Sequence, residues 1–218
     1  MNTQVFLADD HQLVRDGLKL LLEADPEMKV VGEAADGREA VRQVKRIRPD
    51  VVILDVAMPE MNGIDAAELI HREAPEVGII VLSMYSTKEH IYRALRAGAS
   101  GYLLKESAAA EVLDAVREVR CGRRYLSSRV SEEVISAFLN PDPSSQVATP
   151  LETLSGRERQ ILQLVAEGRT SAQIASALFL SPKTVDTYRS RVMGKLGVHD
   201  IAGLVRFAIQ HGLLSAEV

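Results

Sequence analysis

One cysteine, Cys121, in 218 residues excludes an intramolecular disulfide and a thiolate metal cluster. The sequence also has no apolar run long enough to span a bilayer and no basic-then-apolar leader, so a soluble, intracellular protein is expected. A third absence concerns the first strand. The stretch Val5-Phe6-Leu7-Ala8 is followed by Asp9-Asp10-His11 and lacks the Gly/Ser/Thr-rich loop that cradles a flavin or nucleotide phosphate. A hydrolase with an aspartyl nucleophile on that strand would want acids two apart, so that both face one side, and these are adjacent.

What is present is charge, unevenly placed. The net charge of −4 divides at Pro150 into −6 for residues 1–150 and +2 for residues 151–218. Residues 154–197 alone carry Arg157, Arg159, Arg169, Lys183, Arg189, Arg191 and Lys195 against Glu158, Glu167 and Asp186, a balance of +4 that is compatible with nucleic-acid binding.

Short apolar stretches at about 4–7, 29–34, 51–55, 79–83 and 101–104 alternate with amphipathic helical patterns at about 11–23, 37–47, 63–73, 87–97 and 107–120. Five strand-helix repeats predict a parallel five-stranded sheet covered on both faces. A domain of residues 1–122 is expected, then a linker of residues 123–150 with a short helix at about Ser128 to Leu139 and a Pro-rich segment from Asn140 to Pro150. Residues 151–218 show helical periodicity only, at about 155–167, 171–178, 182–196 and 200–211, with N-terminal signals at Ser155/Glu158, Ser181-Pro182 and Asp200.

The strands end on charge. Val51-Val52-Ile53-Leu54 closes on Asp55, the first strand on Asp9 and Asp10, and Gly101-Tyr102-Leu103-Leu104 on Lys105. The C-terminal rim of a parallel sheet is where ligands bind, so strands lying side by side would bring three carboxylates and one ammonium to one pocket.

These motifs, with Met58-Pro59, Asn62-Gly63, Leu82-Ser83-Met84 and Ala97-Gly98-Ala99-Ser100, resemble bacterial two-component response regulators. Leu154-Ser155-Gly156-Arg157-Glu158-Arg159, Thr184-Val185 and Lys195-Leu196-Gly197-Val198 resemble the LuxR-type helix-turn-helix, the pairing of the NarL/FixJ subfamily. The resemblance implies a flavodoxin-like (βα)5 receiver joined to an all-α four-helix LuxR-type domain, and a cytoplasmic transcription regulator rather than an enzyme. It implies Asp55 as phosphoacceptor from a sensor histidine kinase, with Mg²⁺ on Asp10, Asp55 and the Ala57 backbone carbonyl, and Asp9 acting through water. Lys105 and Ser83 would bind the phosphoryl oxygens, and Tyr102 would turn inward when Ser83 is drawn toward them. His11 is read as a helix-start residue outside the site.

On the recognition helix, Asp186, Thr187 and Ser190 match base-facing positions. Lys183, Arg189, Arg191 and Lys195 suit phosphate contact, and Thr184 is also outward. Asp186 replaces a commoner basic residue; it either accepts from cytosine N4 or weakens binding. Double-stranded DNA and a homodimer formed on activation are the expected partners, with no membrane. The alternative is a receiver controlling a protein partner through a helical output module.

Overall fold

The computed structural model describes residues 2–139 and 150–214. They form two compact units that divide between Pro141 and Asp142. The proline-rich segment expected as a linker lies, from Asn140 to Thr149, outside the described residues.

The first unit alternates β1 (Thr3–Ala8), α1 (Gln12–Glu23), β2 (Met28–Ala34), α2 (Gly37–Ile47), β3 (Val51–Asp55), α3 (Gly63–Glu73), β4 (Gly78–Ser83), α4 (Lys88–Arg96), β5 (Gly101–Leu104) and α5 (Ala108–Arg120). These strands all pair in parallel, in the order β2-β1-β3-β4-β5. The alternation of side chains explains why β3 reads as an unbroken apolar run. Val52 and Leu54 enter one core with Phe6, Ile70 and Ile91, while Val51 and Ile53 enter the other with Leu18, Leu22 and Val116.

Two features depart from the expected five strands and 122 residues. A sixth strand, β6 (Tyr125–Leu126), pairs in parallel with β5. After it, α6 (Ser128–Leu139) packs on α4 and β5, and its Val130 is fully buried in the first core. The short helix expected within the linker is therefore part of the first unit.

The described residues of the second unit form a 3-10 turn at Pro150–Thr153, then α7 (Gly156–Ala166), α8 (Ser171–Leu178), α9 (Pro182–Leu196) and α10 (Ile201–Gln210). Its four helix starts are all capped. Ser155 with Glu158 and Thr170 with Gln173 make reciprocal capping boxes, Ser181 precedes Pro182, and Asp200 accepts from the Gly203 amide. Ile161, Leu164, Ile174, Val185, Val192, Leu204 and Ala208 share one core. Leu204 and Ala208 of α10 are spent inside this unit against α7, while Ile201 stays exposed.

Candidate functional site

Sheet order reverses between β1 and β3, and the crevice at such a reversal is where an open parallel sheet takes its ligand. Ala8 pairs with Leu54, so Asp9 and Asp55 emerge side by side. Ser83 pairs with Leu104, which delivers Lys105 to the same rim. Lys105 Nζ lies 2.8 Å from Asp9 Oδ2 and 3.0 Å from Asp55 Oδ2. Both carboxylates are buried, at 1% and 2% exposure, and Asp10 is partly exposed.

Burial first, and then the Asp9 charge, push the Asp55 carboxyl up from 3.8 to about 7, against the pull of Lys105. Burial lowers the Lys105 ammonium, but Asp55 and Asp9 outweigh it, so the net direction is up. His11, expected from the sequence to be a helix-start residue outside the site, has its Nδ1 2.8 Å from Asp10 Oδ1 and 3.3 Å from Asp9 Oδ1. Burial lowers its value and the charges of Asp10 and Asp9 more than offset that. One donor atom from each of Asp9, Asp10, His11 and Asp55 falls within 4.8 Å of all the others. Adjacency to two acids was the only sequence signal for this placement.

The loop after β3 is shaped by two residues. Asn62 is buried and caps α3 by accepting from the Asp65 amide at 2.9 Å. A Cβ on Gly63 would stand 1.9 Å from the Asp55 carbonyl oxygen, so only glycine lets α3 begin against the end of β3.

Ser83 is fully buried, and its Oγ accepts from the Tyr85 amide at 2.9 Å. Tyr102 is also fully buried; its phenol donates to the Tyr85 carbonyl at 2.7 Å, and burial pushes it up to about 12. The ring expected to turn inward in response to Ser83 is thus already inside, because the Tyr85 carbonyl satisfies its hydroxyl there.

On α9, Val185 and Val192 face the core and leave Lys183, Thr187, Ser190 and Arg191 exposed at helical spacing. Arg191 lies over the Tyr188 ring, 6.0 Å from its centroid. Other members of the expected DNA set are engaged locally. Lys195 Nζ turns back to Glu158 Oε2 at 2.7 Å, Thr184 Oγ1 meets Ser181 Oγ at 2.8 Å, and Asp186 Oδ1 accepts from Ser171 Oγ at 2.7 Å.

Residues 5–117 match the response regulator receiver domain, and residues 152–208 match the bacterial regulatory proteins of the luxR family. The chain is 41% identical over 212 residues to the transcriptional regulatory protein LiaR of Bacillus subtilis, covering 97% of this chain and 99% of that one. It belongs to the NarL/FixJ family of response regulators. Another family member, the response regulator UvrY of Escherichia coli, is 38% identical and covers 98% of this chain and 96% of its own. The two-component response regulator RcsB, solved in complex with DNA, superposes with a TM-score of 0.59 at 28% identity, covering 95% of this chain and 98% of that one. This response regulator therefore joins a receiver to a LuxR-type DNA-binding domain, in a family of transcriptional regulators that work with sensor kinases and DNA. Its Asp-rich cluster is of the kind at which receivers bind Mg²⁺. Among the described residues, no helix is long and apolar enough to cross a membrane.

Proposed function

We propose that this protein works in the cytoplasm, where Asp55 accepts a phosphoryl group from a sensor histidine kinase, and that the acyl phosphate so formed promotes dimerisation and sequence-specific binding to DNA. The observation that carries this reading is the meeting of Asp9, Asp10, Asp55 and Lys105 at one crevice. The phosphorus–nitrogen bond of the kinase phosphohistidine breaks, a bond from phosphorus to Asp55 Oδ forms, and the imidazole leaves with the electron pair. Lys105, already beside Asp55, neutralises phosphoryl oxygens as their charge spreads.

The donor set suits a hard divalent cation, since carboxylate and carbonyl oxygens are its preferred ligands. Asp10, Asp55 and the Ala57 carbonyl would hold Mg²⁺, with Asp9 through a water. When bound, the ion offsets carboxylate repulsion and stabilises the phosphoryl oxygens.

Phosphorylation adds close to two negative charges and three acceptors. Ser83 then donates its hydroxyl to a phosphoryl oxygen while its Oγ still accepts from the Tyr85 amide, so drawing Ser83 toward the phosphoryl group pulls on Tyr85. Because Tyr102 donates to the Tyr85 carbonyl, the loop between β4 and α4 and the Tyr102 ring move together. In the second unit α9 is the recognition helix and α8 crosses the backbone. Lys183, Thr187, Ser190 and Arg191 form its exposed face, and the protein acts as a regulator and not as an enzyme.

Radiolabelled acetyl phosphate tests the receiver: wild type labels in Mg²⁺, whereas Asp55→Asn and chelated wild type do not. Labelling that persists in Asp55→Asn removes the acceptor assignment, and labelling indifferent to chelation removes the metal. For the output half, DNA affinity should fall by several powers of ten from low to moderately high salt for about six to ten phosphate contacts in a dimer.

A further inference from the structure

An acid on a recognition helix is repelled by phosphates, so Asp186 needs a reason to be there. Its surroundings supply one. Asp186 Oδ1 accepts from Ser171 Oγ at 2.7 Å, across from α9 to the first residue of α8, and lies 3.1 Å from Arg189 Nη2 one turn along its own helix. Arg189 Nη1 closes the triangle by donating to Ser171 Oγ at 3.4 Å. An exposed carboxylate and guanidinium three residues apart hold each other weakly. The third point, on a different helix, changes that, because the guanidinium is planar and two of its nitrogens are now fixed from one side.

We propose that Asp186 is a positioning residue: it holds the Arg189 guanidinium against the first turn of α8 as a preformed phosphate clamp, rather than reading a base itself. Ser171 opens the helix that crosses the DNA backbone in this motif, and helix N-termini carry partial positive charge that adds to an anion site. Arg189 is about one-third exposed, and a guanidinium has five N–H donors, more than Asp186 and Ser171 occupy. The entropy of ordering a long side chain is spent before DNA arrives, which is how a residue of the wrong sign raises affinity. Lys183, Thr187, Ser190 and Arg191 remain the exposed face for the groove. The inference rests on the DNA reading of α9 given above.

The test measures affinity of the full-length protein across a salt series, for a duplex selected from genomic fragments and for a scrambled duplex of equal length. Asp186→Ala should weaken binding to both duplexes by roughly three- to tenfold although it removes a negative charge. The salt slope should fall by about one per bound recognition helix, as when a phosphate contact is lost. Arg189→Ala should do the same, and the double variant should bind no worse than Arg189→Ala alone. Arg189→Lys, which keeps the charge but not the fork, should lose affinity with an unchanged melting temperature. That variant decides the matter if Asp186→Ala fails to fold. Tighter binding of Asp186→Ala to both duplexes would make Asp186 a plain repulsive charge and overturn the clamp. So would a loss confined to one C·G pair and additive with Arg189→Ala, the mark of a base reader. If wild type itself binds neither duplex in a salt-dependent way, the DNA reading falls, a result distinct from either.

Discussion

Replacing Asp55 by asparagine should make the cation-free protein more stable, by an amount that grows with pH. The native carboxyl sits at about 7 against 3.8 for the free group, so folding takes up a proton between those values. The contribution of Asp55 to stability is therefore fully present below pH 3.8 and is lost as pH rises through about 7. At 1.36 kcal/mol per pH unit the ceiling on that loss is about 4 kcal/mol. The pull of Lys105, 3.0 Å away, is already contained in that native value, so asparagine, which cannot ionise, removes the whole of the loss. A gain approaching about 4 kcal/mol is expected at pH 8, with a smaller one at pH 5. Differential scanning calorimetry of the full chain in chelator at both pH values measures it, in the transition of the receiver unit. A loss of stability at pH 8, or equal gains at the two pH values, would refute the reasoning. Mg²⁺ should stabilise wild type at pH 8 far more than it stabilises the variant.

Other perturbations probe separate parts of the molecule. Lys105→Met leaves Asp9 and Asp55 facing each other without their cation and should cost about 2–4 kcal/mol above pH 7, less in an Asp55→Asn background, by the same calorimetry. Val130→Ala should lower the receiver transition by about 1–3 kcal/mol and leave the helical unit's transition in place, because Val130 of α6 is fully buried in the receiver core. Lys195→Met should destabilise the helical unit by about 1–2 kcal/mol with little change in DNA salt slope, since Nζ lies 2.7 Å from Glu158. A slope that drops by one with stability unchanged would return Lys195 to the phosphate contacts.

Much of the receiver was legible because its signals are local. A strand buried on both faces must be apolar throughout, so Val51-Val52-Ile53-Leu54 announces itself and the acid that ends it stands out. Likewise Ser155, Ser181 and Asp200 mark helix starts within one turn of chain. What escaped reading depends on distant partners. Tyr125-Leu126 is too short to show any period, and it becomes a strand only because β5 offers an open edge. The helix at Ser128–Leu139 has a visible apolar face, but no pattern says what that face meets. Tyr102 is inward because of the Tyr85 carbonyl, seventeen residues away, and Asp186 is tied to Ser171 by the crossing of α8 and α9.

Gly63 carries a consequence for how this gene can vary. In a saturation library scored for folded protein, position 63 should be as intolerant as any buried leucine, since every substituent meets the Asp55 carbonyl and the acceptor strand itself would have to shift. Gly17, where an added carbon meets nothing within 4 Å, should drift freely among helix-forming residues. Two glycines would then show opposite mutational fates, and the difference would trace to a single oxygen atom.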